Sequence, residues 1–537
     1  MEDQPRNRGI SRRTLLGAGL ATGAGWTASP QKALAWWGNR PDKLPTEERD
    51  VIVVGSGFGG AITAHRLTEA GIPVTILEKG RRWDQPVDGR RFSPNLYPDS
   101  RSTWLSHKTV IPLGPALPIK KSTGVLQGRD MAGFRILSGA AYGGGSIVYG
   151  GVLKKPEKTI FDMVFPKEIS FDSLQPHYDE VARRLNRSVI PDDVLATDYY
   201  KHVRVTKKHC DRADISTELM HTSTQWDIVR DEIAGRTEPS IIHGEAVYGV
   251  NSGAKGTLDN TYLKEAEDTG LLEVKTLHRI KDIGAREGGG YWIDYEKLDE
   301  DGTVIAVGRL LCRKLFLSAG TMGTNQLLVK AKAKANLPAL NNQVGKGWGN
   351  NGNVYALRLG LESTGRWHAG PPAIGIRDYD NPLSPMFIEH PQIPIGIEFF
   401  GLLYFGIGIT QTRGYFYYDK ASDDVKLYWP KEDPGQAKIN QRLMQTMKRL
   451  NRENGGWVTS AIDGFQEKVK DDAVYHPLGG CVMGKACDFY GRLKNYDGLY
   501  VNDGSFMPGS SACTNPSFTI SALAERNIAH IIEHDFA

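Results

Sequence analysis

Hydrophobic and polar positions along this chain follow two periods, one suited to buried strands and one to helices. Residues 51–54 (VIVV) form a β-branched run that stops at glycine and reads as a buried parallel strand. A helix is expected from there to about Gly71, followed by an apolar strand over 73–77 that Glu78 closes. Periodicity is then lost in Pro-, Arg- and Gly-rich sequence as far as about Gly133, and structureless stretches of this length are usually lids or binding loops. Residues 156–248 read as mixed helix and loop, 257–268 as a helix, and 272–277, 291–296 and 308–318 as strands. The last of these turns through Ala319 and Gly320 into an apolar helix over 323–329, a second strand–turn–helix unit returning to the first sheet. Near the C-terminus, 498–505 predicts a strand ending in Asp-Gly. Residues 514–519 then open a helix to about His534, with Asn515 at the N-cap and Pro516 in the first turn.

One apolar run, 393–410 (IPIGIEFFGLLYFGIGIT), has a single charge in 18 residues. Its proline, Glu398 and four glycines argue against a lipid-facing helix, and its β-branched and aromatic content predicts a buried strand lining an apolar cavity. The 537 residues suffice for two or three domains, and a formal charge of +4 gives no reason to expect nucleic acid as a partner. The five cysteines show no Cys-x-x-Cys pair, so neither a disulfide framework nor a zinc site is expected, and no metal is assigned a role. No internal repeat is found.

The most informative stretch is 50–80. Gly55, Gly57 and Gly60 satisfy G-x-G-x-x-G between a strand and a helix. The first glycine permits the tight turn, the second lets backbone approach a pyrophosphate, and the third lets helix and strand pack closely. Glu78 lies 23 positions after Gly55, where an acceptor for a ribose hydroxyl is needed. Ala64 and Gly71 extend the pattern in the manner of FAD rather than NAD sites. A second glycine-rich turn, 140–151 (AAYGGGSIVYGG), suits close backbone approach to a flat ring or phosphate. Residues 1–35 read as a targeting segment: Ser11-Arg12-Arg13-Thr14-Leu15-Leu16 looks like a twin-arginine signal, and 33–35 offers a small-residue cleavage site. Export by the twin-arginine machinery, to periplasm or medium, is expected.

Toward the end of the chain, 475–480 sets His476 beside a proline and a glycine pair, and Asn515 opens the last helix. Capping is the plain role of Asn515, though a helix N-terminus also suits an anionic reduced flavin. Together GSGFGG…LEKG, GGGSIVYGG, YHPLGGCVMGKACDFYGRL and LYVNDGSFMPGSSACTNPSFTISALAERN resemble the glucose–methanol–choline (GMC) oxidoreductases, from about residue 46 to the end. Within them the chain looks most like the bacterial cholesterol oxidases that bind FAD non-covalently.

That resemblance implies an α/β fold, a Rossmann-like FAD-binding domain interleaved with a substrate domain on a mixed β-sheet with helices. The FAD-binding parts would be 46–155, 250–345 and 472–537, and the substrate parts 156–249 and 346–471. It implies further that Gly55, Gly57, Phe58 and Gly60 carry the ADP half of FAD, with Glu78 on the ribose and Ile280 at the adenine. Gly145 and Ser146 would approach the isoalloxazine, and Asp503 and Gly504 the ribityl and pyrophosphate region. His476, Asn515 and Glu389 match the active-site histidine, asparagine and glutamate, with Glu398 a competing acid.

The implied activity is oxidation of the 3-hydroxyl of a sterol by molecular oxygen, giving hydrogen peroxide, with Glu389 shifting the double bond from 5-ene to 4-ene. A sterol substrate also allows transient contact with a membrane surface. The alternative is a GMC-family enzyme acting on another secondary alcohol, or one using a non-oxygen electron acceptor. Two departures bear on the substrate. Tyr149 replaces an asparagine beside the flavin, and Ala473 replaces an aromatic expected near the ring pocket.

Overall fold

The computed structural model describes residues 41–84, 89–110, 116–380, 384–459 and 472–536. The chain divides into two units, Met1–Asp42 and Lys43–Ala537. The twin-arginine motif and its cleavage site lie outside the described residues. Two large sheets organise the second unit.

The first sheet is built around Glu47–Val54, whose last four residues are at most 3% exposed. This strand lies parallel between Val74–Leu77 and Val304–Leu317. Leu272–Lys275 extends one side in parallel. On the other side Tyr291–Leu298 and His278–Ala285 add antiparallel. The long strand Val304–Leu317 changes neighbour along its length: it pairs with Tyr291–Leu298 up to Cys312 and, from Leu315, in parallel with Leu499–Val501. Strands covered on both faces must be apolar throughout, which is why 51–54 shows no alternation.

Helix Phe58–Glu69 packs against this sheet, with Gly60 so close to the strand end that a Cβ there would lie 2.0 Å from the Gly55 carbonyl oxygen. The C-terminal helix Pro516–Asp535 packs on Phe58–Glu69. Its fully buried Glu525 accepts from Arg66 Nε at 2.6 Å and from the Tyr262 hydroxyl at 2.8 Å, so a carboxylate in the core is fully partnered.

The second sheet orders Trp457–Thr459, Asn353–Leu359, Gly401–Gly408, Met386–Glu389, Ile374–Asp378 and Thr217–Leu219. All these pairings are antiparallel, where the resemblance implied a mixed sheet; parallel and antiparallel pairs combine in the first sheet instead. Antiparallel neighbours can be joined by short connections and need no helical crossover. Alternation along these strands is strict. Val354, Ala356, Ile388, Leu402 and Tyr404 pack with Ile439, Leu443 and Met447 of helix Pro434–Asn454. Tyr355, Glu389, Leu403 and Phe405 face the other way, onto the wall of a large cavity.

The apolar run at 393–410 is a strand only in its second half, Gly401–Gly408, where every residue is buried. Before it, Gly396 takes φ +75° and Ile397 and Phe400 are 69% and 52% exposed, so Pro394 and Gly396 break the strand. Among the described residues no helix is long and apolar enough to cross a membrane. All five cysteines are buried and unpaired.

Candidate active site

A cavity of about 1440 Å³ runs from the glycine turn of the first sheet to the inner face of the second. Pockets for one drug-sized ligand span roughly 300–1,000 Å³, so there is room for a cofactor and a substrate together.

At the first-sheet end, Gly55 takes φ +96°, and Gly144 takes φ +55° with its Cα facing Gly57. Gly57 is different. Its φ of −71° and ψ of −168° suit any residue, and a Cβ there would come no nearer than 4.0 Å to protein, at Gly144 Cα. Nothing in the polypeptide requires a glycine at 57; an occupant of the cavity would. Two helices also begin on this wall, Phe58–Glu69 and Gly320–Ala333, and neither is capped by its own N-cap side chain. Their first-turn N–H groups and positive dipole ends make an anion site, which fits the pyrophosphate of a dinucleotide.

Glu78 lies on the same wall, buried, accepting from the Ser56 amide at 3.0 Å, the Ser56 hydroxyl at 2.8 Å and the Gly80 amide at 2.7 Å. Burial raises its carboxyl above the usual range against these bonds. Beside it, burial and the Arg129 charge push Lys79 down to about 7. Ile280, on His278–Ala285, lines the cavity, as do Phe58, Gly145, Asp503 and Gly504. Asp503 is held by the Ser505 amide at 2.8 Å and the Thr324 hydroxyl at 2.5 Å.

Two of the residues expected at the cofactor are not on the wall. Gly60 serves strand–helix contact. Ser146 is fully buried, donating to the Gly143 carbonyl at 2.7 Å and accepting from the Leu258 amide at 3.0 Å, so its hydroxyl closes the turn behind Gly145 rather than facing the cavity. Lys255, which no sequence pattern singles out, clamps the same turn, donating to the carbonyls of Ile147 at 2.7 Å and Tyr149 at 2.9 Å. The Tyr149 ring lies on the wall, edge-on to Phe58, with its hydroxyl donating to the Gly256 carbonyl at 2.7 Å.

At the second-sheet end, three elements converge. Glu389 ends strand Met386–Glu389, opposite Phe405 of Gly401–Gly408, and is 3% exposed. Asn515 occupies the N-cap position of the last helix, yet its side chain does not cap. Its Nδ2 donates to Glu389 Oε1 at 3.0 Å. Glu389 Oε2 and Asn515 Oδ1 are left without a partner among the described residues. Burial lifts the Glu389 carboxyl to about 7, against the lowering effect of the Asn515 bond. Glu398 is half-exposed at the surface, bonded to Ser363, and is not on the cavity wall.

His476 lies between strands Asp472–Val474 and Leu478–Gly480, with its ring 5.4 Å from that of Phe405. Burial holds its imidazole down at about 3, so the ring is neutral at working pH. Its Nδ1 faces two amides, Asn353 Nδ2 at 3.1 Å and Asn351 Nδ2 at 3.4 Å. Asn351 is fixed in that orientation, because its Oδ1 accepts from the Ser511 amide at 2.8 Å and its Nδ2 also donates to the Thr514 carbonyl at 3.0 Å. Asn353 is not fixed: its Oδ1 has no partner among the described residues, so turning the amide over costs no other bond. With Oδ1 toward the ring, Nδ1–H would donate to Asn353 and leave Nε2 as a proton acceptor, Asn351 Nδ2 then keeping only the Thr514 carbonyl as its acceptor; with both amides donating to Nδ1, the ring proton sits on Nε2 instead.

The only sequence sign of these two asparagines is the run 349–353 (GNNGN) before an apolar strand. Ala473, expected near the ring pocket, sits instead in strand Asp472–Val474 paired with Arg135 and is not on the cavity wall. Tyr475, two positions on, does line it.

The chain is similar to several known proteins. Residues 351–462 match the model described as "GMC oxidoreductase, C-terminal", 417–524 the model "GMC oxidoreductase", and 53–83 the model "NAD(P)-binding Rossmann-like domain". A cholesterol oxidase of Acinetobacter baumannii is 26% identical over 90% of this chain and 94% of its own length. A long-chain-alcohol oxidase of Arabidopsis thaliana is 25% identical over 51% of this chain and 35% of its own. Among solved structures, pyridoxine 4-oxidase from Mesorbium loti shares the fold with a TM-score of 0.60, at 14% identity over 90% of this chain and 99% of that one.

Proposed function

We propose that this chain, a GMC-type oxidoreductase by its matched domains, holds FAD and oxidises the 3-hydroxyl of a sterol-like secondary alcohol. The observation that carries the reading is the pairing of buried Glu389 with Asn515, beside a neutral His476, at the far end of a cavity that begins in the glycine cradle. Gly55, Gly57, Phe58, Glu78, Ile280, Gly145, Asp503 and Gly504 are the residues that would hold the cofactor. FAD, when bound, would accept the hydride of the carbinol carbon, which carries both electrons of the oxidation, and oxygen would take up those two electrons with two protons as hydrogen peroxide.

The chain's own residues do the rest. His476 Nε2, with Asn353 Oδ1 on Nδ1–H, takes the hydroxyl proton and holds the carbinol oxygen. Tyr355, Leu403, Phe405 and Ile393 give the substrate arm an apolar lining that excludes water and suits a rigid hydrocarbon body. Glu389, desolvated beside the same wall, is the base that moves a proton from C4 to C6 of the 5-en-3-one. Export as a folded, cofactor-loaded protein through the twin-arginine route belongs to the same reading.

The likeness to long-chain-alcohol oxidases favours, as a second reading, a different hydrophobic alcohol in the same cavity. Anaerobic mixing with cholesterol, a long-chain alcohol and pyridoxine separates the two. Flavin bleaching by cholesterol with appearance of the conjugated enone is expected. Bleaching by the straight-chain alcohol alone would replace the sterol reading, and bleaching by none would remove the activity.

A further inference from the structure

Strand alternation places a second cluster directly behind Glu389. His390, the next residue, is directed to the helix side of the second sheet, where it meets His202 of helix Lys201–Arg212 and His368 of the loop before Ile374–Asp378. The three imidazoles are at most 2% exposed, their ring centres lie 4.7–5.3 Å apart, and none of them is on the cavity wall.

Each ring has one nitrogen turned to the protein. His390 Nδ1–H donates to the Leu403 carbonyl at 2.6 Å. His368 Nε2 lies 3.0 Å from the Thr364 hydroxyl, whose own proton is committed to the carbonyls of Phe399 and Gly401, so the histidine must be the donor. One nitrogen of His202 is turned to the Ala369 carbonyl, outside good hydrogen-bond geometry. The first two contacts fix the tautomers of His390 and His368 and leave His390 Nε2 and His368 Nδ1 as lone-pair acceptors, while both nitrogens of His202 are without a hydrogen-bond partner among the described residues.

One donor atom from each ring lies within 4.8 Å of the others. Buried neutral imidazoles gathered with unpartnered nitrogens, two of them held from behind by a hydrogen bond to the other nitrogen, resemble a metal-binding shell. Ordinary packing would instead let one ring donate to the next.

We propose that His202, His368 and His390 bind one late first-row metal ion, Zn²⁺ or Cu⁺. Imidazole suits both ions, and the absence of a carboxylate from the cluster argues against calcium or magnesium. Metal–nitrogen bonds of about 2.0–2.1 Å set nitrogens about 3.4 Å apart in a tetrahedral site, so the rings close on the ion by small side-chain rotations, leaving a position for one exogenous ligand. The ion would tie helix Lys201–Arg212 to the residue that follows Glu389, and so anchor that strand from the side opposite the cavity.

The test uses the flavin-loaded full chain, stripped with a chelator and titrated separately with ZnCl₂ and with Cu⁺ under anaerobic conditions. One equivalent of at least one ion is expected to bind, to raise the melting temperature, and to bind at least 100-fold more weakly in His202→Phe and His368→Gln. His530→Ala/His534→Ala, which removes the histidine pair near the end of the last helix, should leave binding unchanged. Co²⁺ in the unaltered protein should give the visible bands of a tetrahedral nitrogen site, a readout independent of any variant's folding. Failure of the unaltered chain to bind any of the three ions stoichiometrically would overturn the proposal, as would equal affinity in the two histidine variants.

Discussion

Gly57→Ala is the substitution for which the structure separates protein from ligand most cleanly. The backbone at 57 is already in a region open to alanine, and the added methyl would find its nearest protein atom at 4.0 Å. For the polypeptide alone, removing a glycine from the unfolded chain stabilises by about 0.4–1 kcal/mol. For a dinucleotide whose pyrophosphate rests on that backbone, the methyl is an overpacked group costing about 1–3 kcal/mol. At about 1.4 kcal/mol per decade, FAD affinity should fall roughly 5- to 150-fold.

Gly60→Ala is the necessary contrast. There the Cβ would lie 2.0 Å from a backbone oxygen, so the fold itself must give and loss of colour would carry no information about the ligand. The assay is urea unfolding of the apoproteins alongside FAD titration by fluorescence quenching. An apoprotein of unchanged or slightly raised stability with weakened FAD binding is expected for Gly57→Ala. An affinity within twofold of the parent would refute close contact between this backbone and the cofactor. A destabilised apoprotein would refute the reading of open space at 57.

Glu389→Gln should still bleach the flavin with cholesterol but accumulate the unconjugated 5-en-3-one, measured as bleaching without the rise in conjugated-enone absorbance. His476→Ala should slow bleaching itself by about 100-fold or more, since both orientation and proton transfer are lost. Because burial keeps His476 neutral far into the acid range, bleaching by Glu389→Gln should be flat with pH down to about 4 and fall only toward the imidazole's value of about 3. Half-loss near pH 6.5 would contradict this. Asn353→Asp sets a carboxylate in place of an amide 3.1 Å from Nδ1, which favours the imidazolium and raises its pKa by about 1–3 units. Bleaching should then fail as pH drops through that higher value. Arg12→Lys with Arg13→Lys should leave active, flavin-loaded protein in the cytoplasm, checked by fractionation.

What is legible in the sequence is what is local. Strand, glycines, helix, strand and Glu78 follow one another within 50–80, so their order alone identifies the dinucleotide cradle. Asn515 reads in the sequence as a cap or as an active-site residue; its side chain does not cap and donates instead to Glu389, 126 positions away, a contact no local pattern shows. Strand His278–Ala285 escapes a reading by periodicity because its lysine and arginine positions mask the apolar ones. The hairpin of Leu126–Met131 and Phe134–Gly139 is lost for a similar reason, inside a stretch dominated by proline and arginine. The histidine cluster has no signal at all. Positions 202, 368 and 390 lie on a helix, a loop and a strand end, and no spacing rule joins them.

The first glycine helix is roofed by the other end of the chain. A Cβ on Gly59 would lie 1.6 Å from the Asn502 carbonyl oxygen, and Asn502 Nδ2 donates to Thr63 Oγ1 at 2.8 Å across 439 positions of sequence. Ribosomal synthesis runs the other way: residues 51–60 emerge first, and the segment that completes their cradle emerges almost last. A nascent chain that has not yet reached residue 503 therefore lacks a wall of the site, so cofactor capture must wait for a finished polypeptide. Truncation at the C-terminus, far from the glycine motif in sequence, would be read out first as a protein without colour.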